Sequence, residues 1–209
     1  MAYCIMRIGK IKTVSTFAAI ERHDRERGRL AHRKHPERES ENIKTCSPFY
    51  NPEQTLSERF QHRTEGLRIR SNAVLGYEVV LAYSPEAEGR IDHDKWLREN
   101  VKWLARNFGG KDNIPFVTFH ADESTRHMHA VVIPIDDKGK LNARFYTGGK
   151  AKLSKLQDSY AEAMEQFGLE RGNRYLDHPD IASAHHTDLK VYYAAERELD
   201  KVKFDDIER

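Results

Sequence analysis

The sequence predicts an α+β fold in which helices pack on the faces of an antiparallel β-sheet. Three observations carry that reading. Apolar runs and alternation mark strands at residues 2–8, 73–83, 114–119 and 130–135. Amphipathic stretches bounded by caps and glycines mark helices between and after them. The resulting order is strand, helix, long loop, strand, helix, strand, strand, helix. It contains one hairpin and suggests a sheet whose helices lie largely on one side.

The elements follow in turn. Residues 2–8 (Ala-Tyr-Cys-Ile-Met-Arg-Ile) read as a strand that Gly9 and the lysines after it end. Ser15 is placed to cap a helix from Thr16 to Arg27, with Phe17, Ala19 and Ile20 toward the core, and Gly28 stops it. Residues 29–55 are polar, hold Pro36, Pro48 and Pro52, and lack periodicity. They read as a long loop, and loops of that length are usually functional or mobile. Leu56 to Arg68 reads as helical. In the 73–83 strand, Leu75, Tyr77, Val79, Leu81 and Tyr83 share one face, while Val74, Val80 and Ala82 share the other. Both faces are therefore largely buried. Asp92 to Phe108 reads as an amphipathic helix burying Trp96, Val101, Trp103, Leu104 and Phe108, and Gly109-Gly110 ends it. Beyond the hairpin, Asp136 to Gly139 makes a turn. A short strand at Lys140 to Phe145 and a helix from Lys152 to Phe167 follow, the latter closed by Gly168. Leu189 to Arg209 is charged and helix-prone. The expected division is a main domain over residues 1–188 and a charged helical extension over 189–209, the start of a further region in a longer protein.

Composition narrows the function classes. The chain has 209 residues, enough for one core, and a formal net charge of only +2. Total charge therefore does not announce a nucleic-acid partner, but its distribution does. Basic residues outnumber acidic ones between Arg22 and Arg38, and Arg63, Arg68 and Arg70 follow. This is a footprint expected of phosphate binding. Arg22, Arg25, Arg27, Arg33 and Lys34 are the candidate DNA contacts, with Phe49 and Tyr50 available for stacking on bases. The two cysteines, Cys4 and Cys46, form no CxxC pair, so a reducing cytoplasm fits. The apolar start is too short for a signal peptide, and no run approaches the roughly 18 to 20 apolar residues of a membrane span.

The chemistry concentrates in the hairpin. His120-Ala-Asp-Glu-Ser-Thr-Arg-His127-Met-His129 puts three imidazoles and two carboxylates between two apolar strands. Side chains of a strand alternate, so His127 and His129 point to one face and Met128 to the other. The six residues between His120 and His127 are enough to fold the strands antiparallel and bring His120 beside the pair. Three neutral imidazoles can hold a divalent ion and leave positions open for water or phosphate oxygens. Asp122 and Glu123 are candidates to fix the imidazole tautomers, or to act as general base. Imidazoles suit Zn, Co, Ni or Mn, and phosphoryl chemistry favours Mn or Mg.

These residues also carry a resemblance. The His-x-Asp-Glu-Ser-Thr-x-His-x-His segment resembles the metal motif of plasmid mobilisation relaxases of the Mob/Pre (MobV) type, a branch of the HUH endonucleases. The opening strand from Tyr3 to Lys12 and the helix carrying His23 in His-Asp-Arg-Glu-Arg are similar to the family's N-terminal motif. Ile69-Arg70-Ser-Asn-Ala-Val-Leu75 resembles the segment before its central strand, and Gly168-Leu-Glu170-Arg-Gly172 a short signature after its third helix. The similarity spans most of residues 1–175. It implies a relaxase domain that nicks one strand of plasmid DNA at an origin of transfer and stays covalently attached to the 5′ phosphate. The resemblance implies Mn or Mg at His120, His127 and His129, and a histidine nucleophile that maps to His23. Tyr3, Tyr50, Tyr193, His32 and His35 are its rivals. Arg25 or Arg27 takes the role of the motif arginine, Glu123 assists, and Arg70 and Glu78 orient the nucleophile. Implied partners are single-stranded DNA near the nick, a conjugation coupling protein, and a second copy engaged through a longer C-terminal region. Besides a metallohydrolase acting on small molecules, which would make the basic N-terminal third incidental, two other readings stay open. One is a rolling-circle replication initiator sharing the nicking chemistry. The other is a metal-stabilised DNA-binding module without catalysis.

Overall fold

The structure is a computed structural model and describes residues 1–25 and 35–172, which form one compact unit through Gly172. Six strands build one sheet: β1 (Tyr3–Ile11), β2 (Ile43–Thr45), β3 (Gly76–Tyr83), β4 (Phe116–His120), β5 (His127–Val132) and β6 (Glu170–Arg171). Their spatial order is β2-β4-β5-β3-β1-β6, antiparallel throughout except for the parallel pairing of β6 on β1. The α+β class holds. Five helices accompany the sheet: α1 (Val14–Arg25), α2 (Leu56–Arg63), α3 (His93–Asn107), α4 (Ala143–Thr147) and α5 (Lys150–Met164).

Helices cover both faces, not mainly one. On the first face Tyr77, Val79, Leu81 and Tyr83 of β3 meet Met128, Ala130 and Val132 of β5 under α3 and α5. Helix α3 buries Trp96, Asn100, Trp103 and Leu104, a spacing that keeps one stripe on the sheet. Asp92 caps it by accepting from the Lys95 N–H at 3.0 Å. Asn100 is a polar residue inside this core, and both ends of its amide are used. Its Nδ2 donates to the Trp96 carbonyl at 2.7 Å, and its Oδ1 accepts from the Tyr160 hydroxyl at 3.0 Å. On the second face Ile11, Phe17, Leu56, Phe60, Phe116, Val131 and Ile133 form a smaller cluster under α1 and α2. Helix α2 starts with a capping box between Thr55 and Glu58, a device worth about 1 kcal/mol.

Several elements depart from expectation. Strand β1 runs through Gly9 and Lys10 to Ile11, because β3 supplies pairing partners as far as Gly76. Helix α1 begins at Val14, so Ser15 sits inside its first turn, and Ala19 faces solvent. Helix α2 stops at Arg63, before the left-handed turn at Gly66 (φ 74°). The 29–55 stretch contains β2, which pairs with β4 at the sheet edge, Ile43 opposite Phe119. The segment expected as a strand at Lys140–Phe145 gives one bridge, Ile135 to Leu141, and then turns into α4. Asn142 causes the change, since its side chain caps the helix by accepting from the Phe145 N–H at 3.2 Å. Gly109 (φ 79°) ends the α3 turn where a Cβ would stand 2.3 Å from the Tyr146 hydroxyl, so the position requires glycine. The 188/189 boundary, His32 and Tyr193 lie outside the described residues.

Candidate metal centre

Strands β4 and β5 pair with His120 opposite His127, and β5 pairs with β3 so that His129 lies opposite Val80. Alternation then sets Thr118, His120, His127 and His129 on the second face, beyond the end of its apolar cluster. The three imidazoles converge as the spacing predicts. Ring centroids are 5.1 Å apart for His120 and His127, 5.0 Å for His120 and His129, and 4.9 Å for His127 and His129. One nitrogen from each lies within 4.8 Å of the others.

Each ring is anchored from outside. His120 Nε2 stands 3.4 Å from Asp24 Oδ1, His127 Nδ1 2.8 Å from the Thr125 carbonyl, and His129 Nδ1 3.1 Å from Glu78 Oε1. Carbonyl and carboxylate oxygens only accept, so protons on the three outer nitrogens satisfy these contacts and leave the lone pairs of the inner ones for an ion. His120 Nδ1 and His127 Nε2 are 3.3 Å apart. Two lone pairs at that distance repel unless a cation lies between them. With metal–nitrogen bonds of about 2.1 Å, neighbouring ligand nitrogens on one ion stand about 3.0 to 3.4 Å apart. A proton is a poor substitute, because burial, with His129 beside it, pushes the His127 imidazole down to about 4. The donor set therefore fits a divalent ion.

Glu123 turns inward. Its carboxylate oxygens lie 3.4 Å from His120 Nδ1 and 3.8 Å from His127 Nε2. It stands with the lone pairs, and so does not perform the tautomer-fixing task expected of it. His23, on the last turns of α1, comes to the same place, its ring 6.0 Å from that of His120 and 6.3 Å from that of His129. His23, His120 and Glu123 form a second group whose ligand atoms lie within 4.8 Å. Glu78 holds His129 directly. The bond from His129 keeps its carboxyl below the usual range against the opposing effect of burial.

Asp24 was not singled out from the sequence. It accepts from the Thr118 hydroxyl at 2.7 Å and pairs with Lys44 of β2 at 3.0 Å, besides holding His120. Burial opposes its ionisation, but the bonds from His120, Thr118 and Lys44 outweigh that and hold it well below the usual range. Its one legible signal was its place beside His23. The Thr125 carbonyl has no side-chain signature at all. Asp122 is buried in the hairpin loop, where its carbonyl accepts from the His35 N–H at 3.0 Å. Arg126 fixes the same loop by pairing with Glu41 at 2.7 Å and with Glu88.

Other expected residues lie elsewhere. Arg22 is exposed on α1, and Arg25 is its last residue. The Arg25 side chain, Arg27, Arg33 and Lys34 lie outside the described residues. Arg70 is exposed on the loop before β3 and is not among the contacts of the histidine cluster. Of the rival nucleophiles, Tyr50 is buried with its hydroxyl donated to the Asp112 carbonyl. Tyr3 opens β1 and bonds Met1, and His35 pairs with Glu37 at 3.1 Å.

Comparison with known proteins gives one consistent answer. The family described as plasmid recombination enzyme, Mob_Pre, matches residues 1–194. A 65 kDa protein of Zymomonas mobilis is 34% identical over 176 residues, covering 81% of this chain and 30% of that protein. Plasmid recombination enzyme type 3 of Staphylococcus aureus is 28% identical over 207 residues, covering 92% of this chain and 48% of that enzyme. The chain thus spans less than half the length of either relative. The crystal structure of the Mn-bound MobM relaxase domain with 22 nucleotides of pMV158 oriT DNA superposes with a TM-score of 0.75. It is 23% identical and covers 92% of this chain and 99% of that one. At that identity the likeness establishes the fold.

Proposed function

Since the chain belongs to the plasmid recombination enzyme family, we propose that it is a relaxase domain. It nicks one DNA strand at a plasmid origin of transfer and holds the 5′ phosphate covalently, which starts mobilisation. The observation that carries this reading is the convergence of three inward imidazole lone pairs with His23 beside them. The MobM domain of the same fold is described as Mn-bound and on oriT DNA, which supports Mn as the ion and origin-of-transfer DNA as the partner.

His120, His127 and His129 would hold the ion. When bound, it supplies positive charge to the scissile phosphate. The protein's own residues do the rest. Asp24, the Thr125 carbonyl and Glu78 keep the three rings in one tautomer. His23 attacks phosphorus through a neutral ring nitrogen, and the 3′ oxygen leaves with the bond electrons. The resulting phosphohistidine conserves the energy of the broken ester for rejoining. Glu123, between His23 and the inner nitrogens, is the group to accept the proton that His23 sheds. Arg22 and the basic stretch after it bind the backbone. Residues 1–188 are the catalytic domain in this reading. A coupling protein and a second copy engage the longer protein through regions beyond it. The site lies on a domain whose described helices include none long and apolar enough to cross a membrane, and we place its work in the cytoplasm.

The test is incubation with supercoiled plasmid carrying a candidate origin and Mn. Relaxed circles with protein on the 5′ end are expected. His23→Ala is expected to bind metal and DNA but form no adduct. An adduct mapped to a tyrosine would overturn the assignment of the nucleophile, and wild-type protein that nicks no origin with any divalent ion would overturn the activity.

A further inference from the structure

A second concentration of positive charge lies away from the histidines. The loop from Leu67 to Val74 and the turn from Lys140 to Arg144 enclose a cleft of about 580 Å³. Arg68, Arg70, Lys140 and Arg144 line it, and no carboxylate does. All four are exposed, and among the described residues none of them has an ion pair. Some basic residues elsewhere are engaged by the protein itself. Arg59 and Arg63 donate to carbonyl oxygens, and Lys44, Arg126 and Arg171 pair with carboxylates. Asp136, beside the turn, is committed to the Lys138 and Lys140 N–H groups and to Asn142. Asp136 offsets Lys140 in part, but Arg68, Arg70 and Arg144 face a concavity lined by no carboxylate and repel one another, and a bound polyanion removes that cost.

The place of the cleft selects the anion. Leu67, Ile69 and Leu141 of its wall pack on the apolar cluster beneath α1 and α2. Val74 and Ala143 of the same wall pack on the cluster of the other face, so the cleft opens at the end of the sheet, with part of its wall on the face that carries α1 and the histidines. Along β5 and its continuation, His129 is six residues from Ile135, which bridges to Leu141. At about 3.3 Å per residue that is about 20 Å at most. A nucleic-acid strand rising about 3.4 Å per phosphate covers it in about six nucleotides.

We infer that this cleft is a second phosphate-binding site, which holds the DNA backbone several nucleotides from the point of attack. The inference rests on the nicking reading and adds to it a contact remote from the reacting atoms. Arg68 and Arg144 grip neighbouring phosphates, and the apolar wall leaves room for a base or sugar beside them.

The test uses a fluorescent oligothymidylate of about thirty nucleotides, long enough to cover both sites, and reads anisotropy between about 50 and 200 mM salt. The double variant Arg68→Ala, Arg144→Ala is expected to lower the slope of log K against log salt by about 1.4, from two single-strand contacts at about 0.7 each. Its Mn affinity is expected to equal that of the wild type. Arg68→Lys with Arg144→Lys is expected to restore the slope. A slope unchanged by the alanines, or not restored by the lysines, overturns the site. Loss of the slope together with Mn affinity also overturns it, because the residues would then support the fold and not the DNA. Wild-type protein that does not bind the oligonucleotide contradicts the nicking reading itself, which separates the two failures.

Discussion

The two faces of the sheet use the same strands for opposite purposes. Met128, Ala130 and Val132 of β5 enter a core with Trp96, Trp103 and Tyr160, while His127 and His129 of the same strand enter a polar cluster. The first face resolves the buried amide of Asn100 by bonding both ends within the core. The second face is apolar under α1 and α2, and past Thr118 it carries the three imidazoles with their anchors Asp24 and Glu78. Period-2 alternation makes this division possible: a rigid, fully packed face fixes the backbone from which the chemical face projects.

If the comparison is right, damage to each face has a different signature. His127→Ala or His129→Ala is expected to reduce both Mn binding and plasmid nicking to background, with a melting transition close to that of the wild-type apo protein. Full activity with metal bound in either variant would remove that residue from the ligand set. Trp103→Ala is expected to cost about 3 to 5 kcal/mol in chemical denaturation, since it empties a buried aromatic site. The fraction still folded is expected to bind Mn as the wild type does, and a parallel loss of affinity would mean the two faces are not separable.

Asp24→Ala is the intermediate case. It leaves the ligands in place but frees the His120 ring, and a loss of about 10- to 100-fold in Mn affinity is expected by calorimetry. Nicking should return at high Mn. Wild-type affinity in this variant would show that Asp24 supports only Lys44 and Thr118. Arg126→Ala is expected to have the smallest effect, about 1 kcal/mol of stability, because its partners Glu41 and Glu88 are substantially exposed. Its Mn affinity should change little, which a titration beside the Asp24 variant would check.

How much of this the sequence discloses depends on the range of the interaction. The alternation of Tyr77 to Tyr83, the stripe of α3 and the same-face pair His127 and His129 are local patterns, and each appears as read. Before Gly76 the alternation fails, since Leu75 packs under α1 and α2 and Val74 on the other cluster. The anchors are not local. Asp24 reaches His120 across 96 positions in a charged run that looks like solvated surface. Strand β2 is three residues with no alternation, and exists because β4 offers a free edge. Glu78 entered only through the family resemblance, as a residue orienting the nucleophile, and its bond to His129 depends on the register of β3 against β5. The expected strand at 140–145 fails for a local reason that propensity obscures, the Asn142 cap that starts α4.

The central claim is that the outer acceptors preset three inward lone pairs before any ion arrives. Long-range nitrogen–proton correlation spectra of the histidine rings in metal-free protein test it most directly. The predicted result is a ring proton on Nε2 of His120 and on Nδ1 of both His127 and His129, with Asp24→Ala releasing only the first. A proton resting on the inward nitrogen of any of the three rings in the wild-type protein would contradict it.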